Sequence, residues 1–153
     1  MLDLSYRRPL LFALWAAGIF VTSCFYINST TLYGVVRRLT NSEFTHHFAR
    51  FWRGYGIFVV KGWHVTEYAV FDLLCFAALK RSTPDTRRAA AVALGSAVLF
   101  AISDEWHQTF VPNRDGCLRD VLIDSSGALV AAFWVCSRSG RPAIKGQSAS
   151  TDS

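Results

Sequence analysis

Residues 89–103 read AAAVALGSAVLFAIS, and Asp104 and Glu105 follow without a break. This stretch decides the fold, because it is apolar on every face yet too short to cross a bilayer by itself. A helix needs about 20 residues, at about 1.5 Å each, to span a hydrocarbon core of roughly 30 Å. Counted from the basic anchor Arg88, a crossing helix must run on through Asp104 and Glu105. The same reasoning applies from Ser125 to Ser137, an uncharged stretch anchored by Arg138. Carried to full length, that helix takes in Asp124 and Asp120. Both pairs of acids then lie inside the outer parts of membrane helices.

Two further apolar blocks precede these. The run from Leu10 to Ile27 carries no charge and follows Arg7 and Arg8, which suits a first span. Val21-Thr22-Ser23-Cys24 looks like a lipoprotein cleavage box, but the apolar blocks downstream argue against a secreted soluble product. The block from Gly56 to Leu79 reads as a second span interrupted by Lys61, His64, Glu67 and Asp72. Between these two, Phe44, Phe48, Phe51 and Tyr55 recur at helical spacing, with Arg50 and Arg53 off the stripe. That pattern predicts an amphipathic helix along the outer interface, the other reading being a loop folded over the bundle. The expectation is therefore an all-α integral membrane protein with four transmembrane helices and one interfacial helix between the first and second. Residues 1–138 form its membrane domain, and 139–153, rich in Ser, Gly and Lys/Arg, form a disordered cytoplasmic tail.

Composition agrees. The 153 residues are 52% hydrophobic and still include 16 Lys and Arg, a mixture soluble domains achieve only with periodic polar interruptions. Here the basic residues fall mostly between apolar blocks, as in membrane proteins beside anionic lipid. The net charge of +5 would suit nucleic acid in a soluble protein, but no basic patch with interleaved aromatics is present, so no nucleic-acid partner is expected. Nine of the 16 Lys and Arg flank the N-terminus, the second-to-third loop and the C-terminus. That bias puts both termini in the cytoplasm of a multi-pass protein of the cell inner membrane. Cys24, Cys75, Cys117 and Cys136 form no C-x-x-C pair and read as small apolar residues.

The ionisable residues gather into stripes. Asp104 and Gln108 share a helix face with Glu105 beside them, and Asp120 and Asp124 are likewise four apart. On the second span Lys61, His64, Tyr68 and Asp72 step by three or four. Charges facing lipid cost several kcal/mol, so these faces are expected to turn inward and pair. Pro112-Asn113-Arg114-Asp115-Gly116 supplies turn chemistry, with Asn113 and Gly116 able to adopt positive φ. Gly95 and Gly127 are read as allowing close helix packing.

From Ser103 to Arg114, and again from Asp120 to Ala128, the sequence resembles the VanZ-like family. The resemblance rests on Asp104, Glu105, Gln108, Phe110, Pro112 and Arg114 in the spacing D-E-x-x-Q-x-F-x-P-x-R. Asp120-Val121 follows, then Asp124 ahead of Gly127-Ala128, and upstream Lys61, His64 and Tyr68 match K-x-x-H-x-x-x-Y. It covers roughly residues 61–131. Asn113 stands where the family usually has Gly, a change a left-handed turn tolerates. Asp72 falls outside the motif. The resemblance implies a small membrane protein of a family named after a member associated with teicoplanin resistance, and the name carries no mechanism.

Three readings follow. In the first, Lys61, His64, Tyr68, Asp104, Glu105, Gln108, Arg114, Asp120 and Asp124 line an outward-facing polar pocket. The pocket would bind or modulate a membrane lipid, a lipid-linked envelope precursor or a lipophilic glycopeptide, with Arg114 and Lys61 meeting phosphate or carboxylate. In the second, the protein is an intramembrane hydrolase or transferase acting on a lipid-linked substrate. Asp104 or Glu105 would then be general base, and His64 or His107 the proton partner. A metal-assisted form would take Asp104, Glu105, Asp124 and His64 as ligands, but no spacing such as H-E-x-x-H is present, and no metal or cofactor is expected. In the third, the same residues only fix helix packing.

Overall fold

The computed structural model describes residues 6–24 and 29–139. They form five helices, with no strand among the described residues: α1 (Arg7–Ser23), α2 (Ser29–Leu39), α3 (Ser42–Leu79), α4 (Thr86–Gln108) and α5 (Leu118–Ser139). Residues 25–28, the expected end of the first span, and 140–153, nearly all of the expected tail, lie outside the described residues.

Local chemistry sets the helix starts. Pro9 sits in the first turn of α1, where a missing N–H costs nothing. Asn41 caps α3, its Oδ1 accepting from the Phe44 amide at 2.8 Å. Asp85 caps α4 by accepting from the amides of Arg87 and Arg88 at 2.9 and 3.4 Å. The preceding Pro84 cannot continue α3. Between α4 and α5, Asn113 takes φ 65°, the left-handed turn expected of it. Gly116 has no positive φ. Its hydrogen is needed for another reason: a Cβ there would run into the Glu105 carbonyl and the Thr109 methyl.

Contacts give the helix directions. Phe12 stacks edge-on against Phe71, and Trp15 Nε1 donates to the Glu67 carbonyl at 3.0 Å, so α1 runs antiparallel to α3. Phe100 of α4 packs on Tyr68 and Phe71, and Asp104 shares a cleft with His64, so α4 is also antiparallel to α3. Lys61 meets Asp120 and His64 meets Asp124, so α5 runs parallel to α3. Close approach depends on small residues. Ala89, Ala93, Ala97 and Ala101 are fully buried at every fourth position of α4. A Cβ on Gly127 would overlap the Val65 carbonyl, so this glycine sets the α3–α5 distance. Gly95, expected to do the same on α4, faces open space; the alanine stripe makes that contact instead.

The burial pattern is inverted relative to a water-soluble protein. Asp72, Asp104, Glu105, Gln108 and Asp124 are buried, whereas Leu99 and Phe133 are 69% and 73% exposed. Large apolar side chains on the outer surface suit a lipid solvent. Two helices, α4 and α5, are long and apolar enough to cross a membrane. Only 39% of each apolar window is buried, which sets them apart from the core helices of soluble proteins.

One element differs from expectation. Residues 44–55 are not a separate interfacial helix but the first third of α3, which continues unbroken through Gly54 and Gly56 to Leu79. The Trp52 indole lies 3.0 Å from where a Gly56 Cβ would stand, covering the backbone that glycine would otherwise expose. At 1.5 Å per residue, the 38 residues extend about 57 Å, well beyond a bilayer core. The separate element between α1 and α3 is α2, whose Tyr33 packs edge-on against Phe48.

Candidate functional site

Polar side chains from α3, α4 and α5 meet at the end of the bundle where the α4–α5 turn lies. On α3, Lys61 and His64 are one turn apart, and on α5 so are Asp120 and Asp124. The parallel run of the two helices lines these pairs up as rungs. Lys61 Nζ donates to Asp120 Oδ2 at 2.6 Å. His64 Nδ1 lies 3.6 Å from Asp124 Oδ1 and 3.8 Å from Glu67 Oε2. Both separations exceed hydrogen-bond length, so these are electrostatic contacts rather than bonds.

On α4, the i, i+4 pair forms as expected, Gln108 Nε2 donating to Asp104 Oδ2 at 2.9 Å. Glu105 turns toward the following loop, where its Oε2 accepts from the Cys117 amide at 2.8 Å. That bond ties the α4–α5 turn down, beside the close approach of Gly116 to the Glu105 carbonyl. Arg114 reaches across from the same turn to α1 and donates to the Ser23 carbonyl at 2.6 Å. That carbonyl belongs to the last turn of α1, where backbone acceptors lack helical partners.

A cleft of about 150 Å³ opens here, lined by Ile19, Thr22, Ser23, Trp63, His64, Glu67, Asp104 and Arg114. Four charged or titratable groups face it from three segments: His64 and Glu67 from α3, Asp104 from α4, and Arg114 from the turn. Arg114 forms no ion pair with a carboxylate among the described residues. Asp104 is 4% exposed, and its Oδ1 has no hydrogen-bond partner there. Such a buried oxygen costs free energy until something donates to it.

The expected site residues divide. His64, Asp104 and Arg114 line the cleft; Gln108 and Asp124 stand behind them, each against a lining residue. Lys61 and Asp120 occupy each other, and Glu105 is engaged by the loop. Tyr68 is fully buried, its hydroxyl without a hydrogen-bond partner among the described residues, packed between Phe71 and Phe100. Asp72 is also fully buried, both oxygens unpartnered among the described residues, and is not part of the cleft. His107 does not join either: it packs at a tilt against Phe20, with Nε2 3.5 Å from Cys24 Sγ. Among the described residues, no three His, Cys, Asp or Glu side chains are grouped so as to hold a metal ion, so Asp104, Glu105, Asp124 and His64 do not assemble as a ligand set. The four cysteines are free thiols.

Sequence reasoning named Glu67 only as an interruption of the second apolar block, not as a site residue, and passed over Trp63. Glu67 had a readable signal, an acid inside an apolar block one turn from His64. The contribution of α1 had none, because Thr22 and Ser23 stand out only as part of a cleavage-box look-alike and nothing in it points to a cleft.

The sequence matches the VanZ/LLP1 family over residues 10–138, most of the chain. No curated protein and no solved structure matches it. The chain belongs to the VanZ/LLP1 family, and with its two apolar helices this marks a membrane protein.

Proposed function

We propose that this protein binds the polar head of an envelope lipid, a lipid-linked precursor or a lipophilic glycopeptide in the cleft between α1, α3 and the α4–α5 turn. The observation that carries the reading is Arg114, a guanidinium fixed to the Ser23 carbonyl yet unpaired with any carboxylate among the described residues, on the wall of an open cleft. Such a fork recognises phosphate or carboxylate. In this reading α1, α3, α4 and α5 all cross the membrane, with both termini in the cytoplasm and the cleft at the outer surface. The Lys/Arg bias supports that orientation. A cleft of about 150 Å³ is smaller than the roughly 300–1,000 Å³ of sites for drug-sized ligands, so it takes a headgroup and leaves the chain in lipid.

The pair Arg114→Ala and Glu105→Gln tests this, with membrane accumulation and protection of a sensitised host measured together. Arg114→Ala is expected to accumulate normally and lose function. Loss of both folded proteins from the membrane would favour a packing role instead.

One observation favours the hydrolase or transferase alternative. Carboxylates of Asp124 and Glu67 lie 3.6 and 3.8 Å from His64 Nδ1, electrostatic contacts that favour a proton on that nitrogen and leave the other as proton acceptor. In that version Asp124 and Glu67 replace Glu105 beside His64. Turnover of a labelled lipid-linked substrate by the purified protein separates an enzyme from a binder.

A further inference from the structure

The charges on the cleft wall are unbalanced in a specific way. Arg114 supplies one fixed cation, whereas Glu67 and Asp104 supply two carboxylates, with the His64 imidazole between segments. A simple anion would gain Arg114 but face two acids. A simple cation would meet the acids and leave the guanidinium beside it. The second requirement comes from hydrogen bonding. Asp104 Oδ2 is engaged by Gln108, but the buried Oδ1 has no donor among the described residues. A group with N–H bonds meets both conditions.

We propose that the cleft takes a zwitterionic headgroup, a primary ammonium a few bonds from a phosphate or carboxylate, with the anion on Arg114 and the ammonium between Asp104 and Glu67. This deepens the headgroup-binding reading and rests on it. The small volume suits such a group, and the mixed lining matches it end for end. A methylated ammonium keeps the charge but has no N–H for Asp104 Oδ1. A headgroup bearing only hydroxyls and a phosphate supplies donors but no cation for the paired acids. The same chemistry occurs in an aminated phospholipid headgroup and in the peptide of a lipid-linked precursor.

The experiment uses the full-length protein in mild detergent, incubated with equal amounts of phosphatidylethanolamine, phosphatidylcholine and phosphatidylglycerol. Retained lipid is counted by native mass spectrometry. Wild type is expected to keep phosphatidylethanolamine roughly tenfold over the other two, the discrimination one charge-assisted hydrogen bond gives. Asp104→Asn is expected to bring the three within about twofold, and Arg114→Gln to lower retention of all of them about tenfold. Glu67→Gln repeats the first variant in case Asp104→Asn does not fold. Release by soluble phosphoethanolamine assigns the site to a phospholipid, and stronger release by alanyl-alanine to a precursor peptide. Phosphatidylglycerol or phosphatidylcholine retained as well as phosphatidylethanolamine overturns the inference, as does an unchanged preference in both acid variants. If that retention still depends on Arg114, headgroup binding stands and only the zwitterion falls. If no lipid depends on Arg114, both fall.

Discussion

Replacing Lys61 by Met and Asp120 by Leu, singly and together, measures the rung that ties α3 to α5. The charges stand 2.6 Å apart, with side chains 24% and 20% exposed. At that separation Coulomb's law gives about 6 kcal/mol for an effective dielectric of 20 and about 1.6 kcal/mol in bulk water. With most of each side chain covered, a double-mutant cycle is expected to return a coupling of about 2–4 kcal/mol. The two single changes should differ. Arg119 Nε lies 3.4 Å from Asp120 Oδ1, so Lys61→Met leaves the acid a substitute, though one that is 73% exposed and adds at most about 1 kcal/mol. Asp120→Leu leaves Lys61 no acid in ion-pair range among the described residues, and should be the costlier change. The assay is reversible unfolding of the purified protein in mixed micelles on titration with sodium dodecyl sulfate, followed by helicity. A coupling below about 0.5 kcal/mol, or a larger cost for Lys61→Met, would refute the reasoning.

Other expectations use the same unfolding assay. Gly127→Val pushes a side chain into the Val65 carbonyl and should lower stability by at least about 2 kcal/mol. Gly95→Ala meets nothing and should be neutral, or raise stability by up to about 1 kcal/mol. In the α4–α5 turn, Asn113→Gly should hold or gain stability, whereas Asn113→Val forces a branched side chain to φ 65° at a cost of about 1–2 kcal/mol. Gly116→Ala should release the turn from α4, seen as faster amide exchange at Cys117, whose N–H is bound to Glu105.

Much of the site could be read from spacing. The steps of three and four among Lys61, His64, Asp104, Gln108, Asp120 and Asp124 put each on a known face of a helix, and lipid leaves a charged face few places to turn. The Gln108–Asp104 bond follows from that logic. Spacing is silent on pairing across helices, however. It could not tell that Glu105 serves the loop while Asp104 faces the cleft, since neighbours on a helix point about 100° apart and either could have faced inward. Nor could it show that Phe44 to Tyr55 continue into the helix that carries Lys61 and His64. The apolar block begins only at Gly56, whereas the helix begins at Ser42, and the Trp52 indole over Gly56 shows why it persists through that glycine.

Sequence by itself determined the helical class, the helix ends around the acids and the family, because apolar run length, capping residues and motif spacing are properties of a local chain. The tertiary structure decided which charges cancel and which stay free. Arg114 lines an open cleft because the end of α1, 91 residues away, offers it a carbonyl, and Lys61 does not because Asp120 stands on the next helix. Charge pairing depends on distances of a few ångströms between segments remote along the chain, and those distances are set by how closely Gly127 and the α4 alanines let the helices approach.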